Sequence, residues 1–160
     1  TGNREVGLGH VHNALIVAND ILNHKITFLV DKSSQMAYDK IASKNYPVFM
    51  QEDTDIVNDI KKINCDVIIN DRLDTTKEYV TQLRNSGLKV VNFEDLGDGA
   101  KESNMVINAI YPEKQVLPSH YFGQKYFILR DEFVYSKQKI VKKIVKNILI
   151  TFNLNYLQFI

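Results

Sequence analysis

The chain of 160 residues, 44% of them hydrophobic and 24% charged, holds enough apolar material for one globular core. Its 20 basic and 19 acidic residues leave a formal charge of +1, which provides no bulk attraction to nucleic acid or to an anionic membrane. One cysteine, Cys65, excludes an internal disulfide and any CxxC zinc or redox motif. No apolar run reaches the roughly 20 residues of a membrane helix, so a cytoplasmic location without membrane insertion is expected.

In chain order, the first signal is Gly7-Leu8-Gly9-His10-Val11-His12-Asn13, which runs into helical spacing at Val11, Ala14, Leu15, Ala18 and Leu22. A glycine loop opening a helix lets backbone and ligand approach closely and aims free amides and the positive dipole end at an anion. Such loops normally follow a buried strand, so a first strand is expected to precede Thr1. Residues 25–30 form a β-rich run ending at Asp31, after which Ser33 or Ser34 caps a helix carrying Met36, Ala37 and Ile41, ending before Tyr46-Pro47. Residues 53–63 repeat the helical pattern and lead to a strand at 66–71, whose polar exit Asn70-Asp71-Arg72 falls where parallel sheets place ligand contacts.

Residues 75–86 read as a helix closed by Gly87, and residues 88–93 as a strand. A second polar exit, Glu94-Asp95-Leu96-Gly97-Asp98-Gly99, precedes a short apolar run, 105–107, that ends at Asn108. The alternation predicts an α/β fold: a three-layer, Rossmann-like, mostly parallel sheet with helices on both faces. Residues 126–129 resume the apolar pattern, five lysines follow between 137 and 146 as a solvated face, and residues 148–152 read as another strand.

The glycine motif fails the GxGxxG fingerprint, because His12 stands where the third glycine belongs, and no GxxxxGK[ST] loop occurs. His10 at a helix N-terminus has its protonated form disfavoured by the dipole, which leaves a neutral base able to take a proton from water or a sugar hydroxyl; the alternative is a capping or buried histidine. His10 and His12 face apart on a helix and lack a third ligand, so no metal is expected. Cys65 reads as a small buried hydrophobe. Asp71, Glu94 and Asp95 stand at strand ends, where they orient His10 or hold a sugar hydroxyl, or else serve as caps and loop solvation.

Gly7-Leu8-Gly9-His10-Val11, the run 66–71, Val90-Val91-Asn92-Phe93-Glu94-Asp95-Leu96-Gly97, Val106-Ile107-Asn108, and Tyr121-Phe122-Gly123 with Tyr126, Leu129, Arg130 and Phe133 together resemble PseG and SpsG-type proteins. These are UDP-sugar hydrolases of pseudaminic acid synthesis and their spore-coat-polysaccharide relatives, with a GT-B fold. The resemblance implies an N-terminal GT-B domain at residues 1–147 and the start of a second domain at 148–160. It implies an enzyme in which His10 activates water against a nucleotide-linked sugar, with no cofactor. Gly7 and Gly9 would lie beside sugar and phosphate, and Asn13 and Asn108 join Asp71, Glu94 and Asp95 as substrate contacts. The family generally carries arginine at the position of Asn13 and a tyrosine near that of Leu73. A GT-B glycosyltransferase using the same base, or a non-catalytic partner of a CMP-sugar cytidylyltransferase, are the alternatives.

Overall fold

A computed structural model describes residues 8–72, 74–111, 117, 119–137 and 144. Gly7, the strand expected at 148–152, the second-domain start at 148–160 and the lysine-rich stretch other than Lys137 and Ile144 lie outside the described residues. Helices α1 (Gly9–Asp20), α2 (Gln35–Ala42), α3 (Ile56–Ile63) and α4 (Lys77–Asn85) alternate with strands β1 (Phe28–Val30), β2 (Val48–Met50), β3 (Val67–Asp71) and β4 (Lys89–Phe93), and β5 (Met105–Asn108), β6 (His120–Phe122) and the one-turn α5 (Asp131–Val134) follow. Turns of 3-10 helix follow β4, at Asp98–Glu102, and β6, at Gln124–Tyr126.

Among the described residues all strand pairs are parallel, as the alternation of elements requires, and they fall into two hydrogen-bonded sets. β1 pairs with β2, and β3, β4, β5 and β6 lie side by side in that order. The expected Rossmann-like α/β architecture, parallel strands flanked by helices, stands. β1 shows why: Phe28 and Val30 pack with Val11, Leu15, Ala37 and Ile41 of α1 and α2, whereas Leu29 between them packs with the cluster of Val57, Ile60, Val80 and Leu83 from α3 and α4. Alternate side chains of one strand thus meet helices on opposite faces, which is why the strand is apolar throughout.

The helices end as their sequences dictate. Asp55 caps α3 by accepting from the Val57 amide at 3.0 Å, so the helix starts later than residue 53, and Asn64 closes it in the left-handed region at φ 53°. The buried Asp59 holds the turn before α3, accepting from the Glu52 and Asp53 amides, each at 2.8 Å, and from Lys62 Nζ at 2.8 Å. Lys62 and those amides bring its pKa down to about 2. Thr76 caps α4, and Gly87, at φ 87°, ends it.

β2 and β6 have no counterpart among the expected strands. Each is three residues long, and β2 has an exposed centre at Phe49 between half-buried Val48 and Met50, a pattern too short to separate from loop.

In β3 to β6 the two faces differ sharply. One face carries Asn70, Val90, Asn92, Val106 and Asn108, all buried beneath α4 and the 3-10 turn after β4. The register places Val67, Ile69, Val91, Phe93, Met105, Ile107 and Tyr121 on the other face, and none of these is buried. Asp71, beside Phe93, ends β3 on this same open face.

Candidate functional site

α1 begins at Gly9, so His10 sits in its first turn, and Asp71 is the last residue of β3. The two side chains meet at 2.7 Å between Nδ1 and Oδ1, with His10 28% and Asp71 17% exposed. A carboxylate accepts but does not donate, so the shared proton resides on Nδ1 and the Nε2 lone pair is left free. The sequence argument that the helix dipole keeps His10 neutral is corrected here. The hydrogen bond to Asp71 raises its pKa, with further support from the Asp71 charge and the nearby Glu94, and burial only partly opposes them. A full charge in contact outweighs the partial charge of a helix end.

Glu94 follows β4 in the left-handed region, at φ 51°. Its carboxylate accepts from the Ala109 amide at 2.8 Å and the Ile110 amide at 3.4 Å, tying the exits of β4 and β5 together within electrostatic reach of His10.

Asp95 and Asn108 are placed differently. Asp95 is 1% exposed and accepts from the Thr75 amide (3.0 Å), the Thr75 hydroxyl (2.6 Å), the Gly97 amide (2.9 Å) and the Asn92 amide group. Asn108 clamps the backbone of Asp95 from both sides, accepting from its amide and donating to its carbonyl. Asn92 also accepts from Asn70, whose own carbonyl takes the Tyr79 hydroxyl at 2.7 Å. These buried polar groups are satisfied by one another, which makes them a lock between the exits of β3 and β4. Gly97 and Gly99 belong to that lock: a Cβ on Gly97 would lie 2.3 Å from the Thr75 carbonyl oxygen, and one on Gly99 would lie 2.4 Å from the Thr75 hydroxyl.

Gly9 and Asn13 lie on another side of α1. With His12 they form one wall of a cleft of about 240 Å³ whose other wall is Phe127, Ile128, Leu129, Arg130 and Phe133. Among the described residues, nothing lies within 4 Å of the position a Gly9 Cβ would take. Arg130, Phe127 and Phe133 were not among the candidate site residues. The available signal was an arginine closing the apolar run 126–129, which identifies no partner until α1 is seen beside it. Among the described residues, no cluster of three or more metal-ligating side chains occurs, and Cys65 is half-buried, its thiol pKa raised by burial.

No family model matches the chain, and no solved structure matches it. The uncharacterized protein MJ1062 of Methanocaldococcus jannaschii is 30% identical over 168 aligned residues, taking in 94% of this chain. The chain spans 35% of the length of that relative.

Proposed function

We propose that the chain is part of a nucleotide-sugar hydrolase of surface-polysaccharide or nonulosonic acid synthesis, built as the N-terminal half of a GT-B enzyme, with His10 as general base. The observation that carries this reading is the 2.7 Å contact of His10 Nδ1 with Asp71. It fixes the tautomer with Nε2 free and supports the imidazolium that forms when Nε2 takes a proton. Water then attacks the anomeric carbon of the sugar. Its oxygen bonds to that carbon, its proton passes to Nε2, and the carbon–oxygen bond to the diphosphate breaks with the electron pair leaving on the nucleotide.

Two further features support the reading. The pair stands beyond the carboxyl end of a parallel strand, where open α/β sheets bind ligands. The ordered series of residues resembling the UDP-sugar hydrolases includes both His10 and Asp71.

The test is phosphorus NMR of the full-length protein with UDP- and CMP-sugars in water, beside His10→Ala. Nucleoside diphosphate is expected from a UDP-sugar without any acceptor, and the variant is expected to lose at least about 100-fold in rate, the ordinary worth of a general base. Release only when an acceptor hydroxyl is added would replace the hydrolase by a transferase. Equal activity in His10→Ala would remove the base altogether.

A further inference from the structure

The cleft between α1 and residues 127–133 shares no side chain with the His10–Asp71 pair, yet it opens beside it on the next face of the same helical turn. Its lining contains no acidic residue. Arg130, His12 and Asn13 are its polar side chains, and Phe127, Ile128, Leu129 and Phe133 make up the rest of its far wall. Arg130 is held rather than loose. Its carbonyl accepts from the Phe133 and Val134 amides at 2.9 and 3.3 Å, which fixes its backbone at the start of α5. Its guanidinium rests over the Phe133 ring, 4.9 Å from the centroid. No ion pair between Arg130 and a carboxylate occurs among the described residues.

A guanidinium stacked on an aromatic ring keeps its donor edge free, loses little freedom on binding and matches an oxyanion with two parallel hydrogen bonds.

We propose that this cleft is a phosphate site, with Arg130 its fixed cation and the surface at Gly9 the passage that joins it to the base at His10. The assignment to the diphosphate of the substrate rests on the function proposed above; free inorganic phosphate presents the same chemistry. A diphosphate lying over Gly9 would leave the sugar on the His10 side of the turn.

The experiment uses the full-length protein, its Arg130→Met variant, which keeps an apolar stem of similar length, and Arg130→Lys, which keeps the charge. Inorganic pyrophosphate and inorganic phosphate are titrated separately by phosphorus NMR, and KM and kcat are measured for the UDP-sugar. Thermal melts confirm that the variants fold. Pyrophosphate affinity is expected to fall about 10- to 100-fold in Arg130→Met, the worth of hydrogen bonds to a charged group, with recovery of part of the loss in Arg130→Lys. The KM for the UDP-sugar should rise by a similar factor while kcat changes little.

Arg130-dependent binding of inorganic phosphate that leaves the UDP-sugar KM untouched would assign the cleft to the free ion. Arg130-dependent pyrophosphate binding in a protein that never hydrolyses a UDP-sugar would keep the phosphate site and remove the hydrolase. His10-dependent hydrolysis with pyrophosphate binding and KM both indifferent to Arg130 would overturn the phosphate site and keep the hydrolase.

Discussion

The Asp71 carboxylate determines what His10 does at a given pH. Because the folded pKa of His10 lies above its ordinary value of 6.5, the imidazole is a free base only at pH values above that raised pKa. The rate of the proposed hydrolysis should therefore climb with pH along an acidic limb centred above 6.5. In Asp71→Asn the hydrogen bond that raises the pKa is weakened and its charge is gone, so the limb is expected to move toward lower pH while the plateau falls. A pH–rate profile of the two proteins checks this, and an unmoved limb would mean that another group controls it. The same pair contributes stability that is complete below about pH 6.5 and is lost as pH rises through the raised pKa. His10 was legible in the sequence as the histidine of a glycine turn. Its charge state was not, because the partner is 61 residues away and only the fold brings it to 2.7 Å.

At the level of elements, helices α1, α2 and α4 could be read from spacing and end signals, and β3 to β5 from apolar runs between polar exits. What could not be read was the division of labour among those exits. Asp71, Glu94, Asp95 and Asn108 all stand at carboxyl ends of strands, yet Asp71 meets the histidine, Glu94 ties two loops, and Asp95 and Asn108 are consumed in the lock around Thr75. Glu94 and Asp95 both lie just past the end of β4, and the left-handed turn at Glu94 leaves it half-buried while Asp95 beside it is buried. The two kinds of glycine can be told apart by mutation. Gly97→Ala forces a methyl against the backbone of Thr75 and is expected to cost about 1–3 kcal/mol or more, whereas Gly9→Ala meets no atom of the described residues and should leave stability within about 1 kcal/mol of the parent. Urea denaturation of both variants measures the contrast. Equal stabilities would show that the lock yields to accommodate the added carbon.

For the molecule as a whole, the face of β3 to β6 that stands open among the described residues is the least ordinary feature. Val67 is 50% exposed, Ile69 43% and Tyr121 38%, on a face where no described helix covers them. The apolar run that formed β3 reads as a strand buried in an α/β fold; the strand is there, but among the described residues only one of its faces is covered. A polypeptide limited to residues 8–137 is expected to bind the dye ANS and to self-associate, and Val67→Thr with Ile69→Thr should reduce both without altering the helix content. Dye fluorescence and light scattering, compared with the full-length protein, test this; a monomeric fragment that ignores the dye would mean that the face is closed by its own chain.

The lock around Thr75 has a consequence for how such a protein can change over time. It fastens the exits of β3 and β4 through groups none of which belongs to the His10–Asp71 pair or lines the Arg130 cleft. Substitutions at Asn13, Phe127 or Leu129 can therefore reshape what the proposed phosphate cleft recognises while the frame around Thr75 stays fixed. Drift in ligand preference and retention of the fold are, in this architecture, borne by different residues.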